Sequence, residues 1–379
     1  MFASPYRLLT SIRPNVTPGI LVAASAASIV FTATPFLVTA VVEDFGVSLA
    51  MASSISTAQL AGFVIASWFG GRRLTPSRRL VVGSVAFLVV ANGLSAAAPS
   101  FAALLILRTL SGVSLGLITW IAWVEAAGSS GRMRDVAVVG PLTGAIAAPL
   151  LGWAASTGGT ELVYGVLTLV AAVPLFLRTN PSAEVSLERG PRRKAVPAAR
   201  AVLVAMLLIT AGGSAVFVYA AAIALEETSL SATAISLAFS ANAIASIPVA
   251  RWSGPRRVAG AGYVAAALCA LAVGLAPSAT LWFAGLTLWG ACFWYATPAT
   301  HQILAERSRY PEERVGDAQA LMAVGRVLGP VIAGVAIATG STTTLAFVGM
   351  ALMVAAGLIV MAIEQFVPPI ENTEPTHAA

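Results

Sequence analysis

Apolar stretches of roughly 20 residues recur along the whole chain between short polar segments, and a stretch of that length spans the hydrocarbon core of a bilayer. No water is available in that core, so the backbone must satisfy its own hydrogen bonds and the stretches are predicted to be helices. They are continuously apolar and lack the alternation of a membrane barrel. Twelve spans are predicted. The first six are Thr17–Val41, Ser48–Trp68, Leu80–Ala98, Phe101–Val124, Val136–Ser156 and Leu162–Leu177. The second six are Ala201–Leu225, Thr233–Ala250, Val258–Ala276, Thr280–Ala299, Gln319–Thr339 and Thr344–Ile363. Only 10% of the residues are charged, against about 25% in a soluble domain, so an all-α membrane protein is expected with no room for a soluble domain. The longest polar linker, Pro181–Pro197, is rich in Pro, Arg and Glu and reads as a flexible join. The expected organisation is a six-helix bundle over 1–180, a linker over 181–200, and a second six-helix bundle with a short tail over 201–379.

Charge placement gives the orientation. Of the 22 Lys plus Arg, only Arg108 and Arg326 fall inside spans. With a cytoplasmic N-terminus the others all lie on the cytoplasmic side: Arg7 and Arg13; Arg72, Arg73, Arg78 and Arg79; Arg132 and Arg134; Arg178, Arg189, Arg192, Arg193, Lys194 and Arg200; Arg251, Arg256 and Arg257; Arg307, Arg309 and Arg314. The opposite loops carry Glu43, Asp44, Glu161, Glu226 and Glu227. This is the positive-inside pattern, and it places both termini in the cytoplasm. The net charge of +6 therefore reflects topology rather than nucleic-acid binding. The apolar part of the first span is longer than the 7–15 residues of a signal peptide. Cys269 and Cys292 both lie in spans, read as packing residues, and are too few for a disulfide framework. One Lys against 21 Arg suggests a GC-rich bacterium, hence an inner-membrane location.

The two halves repeat. Ser77-Arg78-Arg79-Leu80 matches Pro255-Arg256-Arg257-Val258 at an offset of 178. Without a gap, Pro99-Ser100 falls on Pro277-Ser278, Thr109-Leu110 on Thr287-Leu288 and Gly112 on Gly290. At offset 181 Gly144 meets Gly325 and Pro149 meets Pro330; at offset 184 Glu43 meets Glu227 and Trp68 meets Trp252. Six spans per unit leave both units in the same orientation. Duplicated units around a midplane site are common in secondary transporters.

These residues resemble the major facilitator superfamily, and within it the bacterial twelve-helix drug:proton antiporter-like branch. The loop Gly70 to Arg79 is similar to the family's signature cytoplasmic loop at Gly70, Arg78 and Arg79, while the loop's acid falls on Leu74 and its second glycine on Ser77. Arg108-x3-Gly112-x3-Gly116 resembles the fourth-helix motif associated with proton coupling. Gly140-Pro141-x2-Gly144, with Ala148-Pro149-x2-Gly152, is similar to the fifth-helix motif of exporters. The resemblance implies a major facilitator fold of two pseudo-symmetric six-helix bundles, with spans one, four, seven and ten lining a cavity. Those spans carry Phe31 and Phe36, Trp120 and Trp123, Phe217 and Tyr219, and Trp289, Phe293, Trp294 and Tyr295. Each of these aromatics can equally face lipid.

A charge inside a span needs a partner or water. Arg108 either snorkels to the interface or stands in the cavity wall, holding an anion or pairing with Glu43 or Asp44. Arg326 either bonds carbonyls near Pro330 or offers a second positive charge to an anionic substrate. Gln59 and Asn242, at near-equivalent places, bind substrate or only join helices. Proton-coupling candidates are Glu43, Asp44, Glu125, Asp135, His301 and Asp317, since coupling needs a titrating group. Gly325, Gly329 and Pro330 join the fourth- and fifth-helix glycines as packing or gating residues. There is no phosphate loop, metal-ligand cluster or nucleophile–base spacing, so neither an enzyme nor a cofactor is expected.

The leading expectation is a monomeric secondary transporter in the lipid bilayer, exporting small lipophilic or amphipathic molecules in exchange for protons. The alternative is a carrier of a small organic or inorganic anion that uses Arg108 and Arg326. A non-transporting sensor or assembly partner is the remote third reading.

Overall fold

The computed structural model describes residues 16–126, 130–181, 193–250 and 258–370. Arg7, Arg13, Arg189, Arg192, Arg251, Arg256 and Arg257, the repeat partners Trp252 and Pro255, and most of the expected linker lie outside the described residues. Among the described residues every regular element is helical. The helices are α1 (Pro18–Thr32), α2 (Thr34–Phe45), α3 (Leu49–Ala52), α4 (Ser54–Arg73), α5 (Arg78–Ala96), α6 (Phe101–Ala126), α7 (Ser130–Ala172), α8 (Pro197–Glu227), α9 (Ala232–Ala250), α10 (Ala259–Leu275), α11 (Ala279–Glu306), α12 (Pro311–Thr339) and α13 (Thr342–Phe366).

Eight helical stretches are long and apolar enough to cross a membrane, and the bent pair α1–α2 makes a ninth. The chain is therefore a multi-pass membrane protein. The helix α10 is apolar but only 17 residues long. The helix α11 is interrupted by polar-edged Trp and Tyr side chains, which score low on hydropathy.

Two breaks have local causes. The axis bends by 49° between α1 and α2, where Pro35 in the first turn of α2 withholds a backbone N–H. The long α7 is two helical arms joined at Gly158 and Gly159, and Gly159 has φ +54°. A side chain at Gly159 would run into the Asp44 carboxylate. That carboxylate accepts the Thr160 N–H at 2.7 Å, so Asp44 caps the second arm.

Close helix approach rests on glycine, as expected where apolar burial gives helices no reason to associate in lipid. In α6, Gly112 and Gly116 lie against the backbone of α4 at Gln59 and Phe63. In the second half Gly290 of α11 lies against Asn242 of α9 in the same way. Gly112 and Gly290 are repeat partners, and so are their contacts in kind. The duplication read from the sequence thus reappears as equivalent packing. The helix α4 packs on α6, α5 on α6 and α7, and α1 and α2 on α7. Likewise α8 packs on α12 and α13, α10 on α11 and α13, and α9 on α11. These groups meet along α7–α9, α4–α12 and α2–α8.

Candidate substrate-translocation site

Arg108 is 1% exposed and enclosed within the first group of helices. Its two terminal nitrogens each donate to Asn92 Oδ1 at 3.1 Å. One reaches Ala91 O at 3.2 Å and Ser95 Oγ at 2.5 Å, and the other Gln59 Oε1 at 3.5 Å. The guanidinium lies over the Tyr164 ring, 4.3 Å from its centroid, where the ring's negative face favours a cation. All these partners are neutral. Neither the interface nor the expected acids Glu43 and Asp44 are involved: Glu43 is exposed at the end of α2, and Asp44 caps Thr160. Asn92, Ser95 and Tyr164 were not singled out from the sequence. The signal was available, since Asn92 and Ser95 are one turn apart within a span.

Arg326 differs. It lies about ten residues, hence about 15 Å, into the apolar part of α12. Its guanidinium is enclosed by protein yet retains accessible surface, and among the described residues it has no hydrogen-bond or ion partner. The bond to carbonyls near Pro330 is absent. Pro330 cannot donate to the carbonyl four residues earlier, which is Arg326 O itself. Ser214 Oγ of α8 supplies a donor to that oxygen at 3.4 Å.

An aromatic seam starts at a contact between the helix groups and runs into the second group. Phe36 of α2 meets Phe239 of α9 edge to face at 5.1 Å. Phe239 continues to Phe217 at 5.2 Å, and Phe217 to Trp289 at 5.9 Å. Such pairs contribute about 0.5–1.5 kcal/mol beyond burial. Beside them the Tyr219 hydroxyl donates to Ser53 Oγ at 2.5 Å, bridging α8 to the residue that precedes α4. Phe239 and Ser53 were missed by the sequence reading. The other aromatics serve elsewhere. Phe31 packs on Phe63 at 5.5 Å, Trp120 lies beside Gly70, and Trp123 is packed against the core. Phe293 meets Trp294 edge to face at 6.0 Å, and Tyr295 packs beside Gly262 of α10.

The amides join helices. Gln59 accepts from Arg108, and Asn242 Nδ2 donates to Leu286 O at 2.6 Å. Leu286 is the repeat partner of Arg108 at offset 178, so one packing junction holds a charge in the first half and only backbone in the second.

Of the titratable candidates, Glu125 is the only carboxylate buried among the described residues, at 2% exposure. Its Oε1 is 3.3 Å from Thr17 Oγ1, whose one hydroxyl proton is shared with Asn180 O at 3.0 Å. Asp317 pairs with Arg314 at 2.7 Å. His301 Nδ1 is 2.9 Å from Thr297 O. Asp135 is partly buried in the first turns of α7, and Arg78 and Arg79 open α5.

The motif glycines separate by role. A side chain at Gly144 would approach Thr32 at 3.5 Å and Ala243 at 3.6 Å, and one at Gly152 would meet Ser236. These two stand on the α7–α9 seam, with Pro141 and Pro149 inside the same helical arm. Gly140 faces open space. Gly325 and Gly329 lie against α8 at Thr210, Ala211 and Ser214.

Over 93% of its length the chain superposes on a solved major facilitator superfamily transporter, FucP in an outward conformation, with a TM-score of 0.61, 13% identity and 99% of that chain covered. The fold is that of the major facilitator superfamily. A peptide transporter, POT, solved in complex with sulfate, matches with a TM-score of 0.73 at 13% identity over 96% of this chain and 98% of its own. The solved structures that share this major facilitator fold are transporters rather than enzymes. No protein-family model matches the chain. In sequence it is 29% identical over 163 residues to a multidrug resistance protein B homolog of Mycobacterium tuberculosis. That match takes in 39% of this chain and 30% of the relative's length.

Proposed function

We propose that this chain is a secondary transporter that exports small amphipathic molecules by alternating access. The observation that carries the reading is the seam between the two helix groups. It is built from small residues, Gly144 and Gly152 against Ala243 and Ser236, and ends where Gly140 meets open space. Small residues allow one group to rock on the other, and the aromatic seam closes the end nearest Tyr219 and Ser53. The partial match to a multidrug resistance homolog and the fifth-helix glycines support export.

In this reading the membrane is crossed twelve times. The eight apolar stretches contribute eight crossings, and the bent pair, the second arm of α7, α10 and α11 complete them. Residues 1–180 and 201–379 are then the two rocking units, and 181–200 is their linker. Both termini lie in the cytoplasm of a bacterial inner membrane, following the basic loops. The unit is a monomer.

Export is driven by protons, with Glu125 as the carrier. Proton coupling needs a carboxylate shielded from bulk water that also touches a moving element. Glu125 joins the end of α6 to Thr17 at the start of α1. In everted vesicles with an imposed pH gradient, wild-type protein is expected to accumulate a lipophilic dye, and a protonophore to abolish the accumulation. Glu125→Gln is expected to cut gradient-driven accumulation at least tenfold while leaving dye binding to purified protein unchanged. Accumulation indifferent to the protonophore contradicts proton coupling. The anion-carrier alternative retains one free charge, because Arg108 is spent on neutral protein oxygens.

A further inference from the structure

We infer that Arg326 is an anion-docking site in the space between the two helix groups, and that the transported molecules include amphipathic organic anions. The inference rests on the transporter reading above and adds a substrate class to it.

The direction of Arg326 follows from helix geometry. Successive residues of an α-helix are about 100° apart around its axis. In α12 the outward face is marked by Leu328, Val331 and Val335, which are 41%, 46% and 58% exposed. Arg326 lies about 160° around the helix from Leu328, so it points inward. On one side, about 60° away, Gly329 rests on Ser214 of α8. On the other, about 80° away, a β-carbon added at Gly334 would stand 3.7 Å from the Tyr219 hydroxyl and 3.9 Å from Ala50 O of the opposite helix group. Arg326 therefore faces the gap between its own group and the other, where substrate crosses in an alternating-access cycle.

The charge state of that gap is equally specific. An arginine stays protonated in proteins. An uncompensated cation deep in a span costs at least about 2.5–3.5 kcal/mol on insertion scales. Arg108 offsets that cost with neutral oxygens and a ring face, and Arg326 has neither among the described residues. Its repeat partner at offset 181 is Ala145, so the first half brings no second charge to the same level. The unfilled valence is a planar fork of N–H donors that suits a carboxylate, sulfonate or phosphate. Ser214 fixes α8 at the level of Arg326, and Phe217 follows Ser214 by about one turn. An oxyanion on Arg326 would thus place its apolar body against the Phe217 and Trp289 end of the aromatic seam.

The test uses a pair of probes that differ in charge but hardly in shape, 1-naphthaleneacetate and 1-naphthaleneacetamide, with inorganic sulfate as a competitor. Binding to purified full-length protein is measured by titration calorimetry. Wild type is expected to prefer the acetate by at least tenfold, with sulfate displacing it. Arg326→Gln is expected to erase that preference and leave acetamide affinity unchanged, and Arg326→Lys to retain part of it. Elution volume and thermal midpoint verify that each variant is folded. A wild type with no preference, or an Arg326→Gln protein that keeps it, overturns the inference. If vesicles still move neutral or cationic dyes in that case, the transporter reading stands without the anion site; if they move nothing, that reading fails with it.

Discussion

Gly112→Leu is expected to abolish recovery of folded protein. The α-carbon of Gly112 is pressed so closely on α4 that even one added carbon would overlap the Gln59 carbonyl. Backbone is the obstacle, so no rotamer change relieves it, and α4 must move away from α6. That movement pulls Gln59 from Arg108 and Gly116 from Phe63. Overpacking a core by a few carbons costs about 1–3 kcal/mol where side chains can adjust, and more is expected here. The readout is detergent size-exclusion of a fluorescent fusion: a monodisperse peak for wild type and void-volume aggregate for the variant. Gly83→Leu is the control, because nothing lies within 4 Å of an added carbon there. Its peak is expected to match wild type.

The second large effect falls on the Arg108 cluster. Arg108→Met removes the charge and leaves Asn92 Oδ1 without its donors, while Ser95 Oγ still donates to Ala91 O. An orphaned buried polar group costs about 1–3 kcal/mol in soluble proteins, and interhelical hydrogen bonds in membranes average about 0.6 kcal/mol. A net loss of about 1–3 kcal/mol is expected, seen as a fall of several degrees in the thermal midpoint. Adding Asn92→Leu should restore much of the loss, because it removes the stranded Asn92 Oδ1 acceptor as well as its donor. A double variant no better than the single would mean that Arg108 acts outside this cluster, for example on a substrate.

Arg108 and Arg326 also show how far a sequence of this kind can be read. Both are charges inside spans, and from sequence they were one class of residue. The difference lies in what surrounds them, and that is set by helix rotation. Arg108 turns toward α5 and α7, where Asn92, Ser95 and Tyr164 supply oxygens and a ring. Arg326 turns away from the outward face of α12 and meets no hydrogen-bond or ion partner among the described residues. Both helices carry a glycine stripe, Gly112-x3-Gly116 in α6 and Gly325-x3-Gly329 in α12, but neither stripe tells which residues of distant helices stand beside the arginine.

The duplication was legible because glycine contacts must be kept to keep helices close, and Gly112 and Gly290 hold the same packing in each half. Asp44 was not legible as a cap. Its partner, the Thr160 N–H, exists only because α7 breaks at Gly158–Gly159. The break itself was legible, between the spans ending at Ser156 and starting at Leu162, but nothing local in the sequence brings Asp44 of the first span to it. Phe239 was overlooked for a similar reason: one aromatic among small residues of α9 gains its role only when Phe36 and Phe217 arrive from two other helices.

In the proposed transport cycle the two helix groups must part along the α7–α9 seam. In a Cys269→Ala, Cys292→Ala background, cysteines replacing Gly144 and Ala243 would have β-carbons about 3.6 Å apart, within the range a disulfide spans. Dye transport is measured in vesicles before oxidation, after oxidation and after reduction. Transport is expected before oxidation, less than a tenth of it once the seam is cross-linked, and recovery on reduction. Full transport by protein shown to be cross-linked would contradict that cycle.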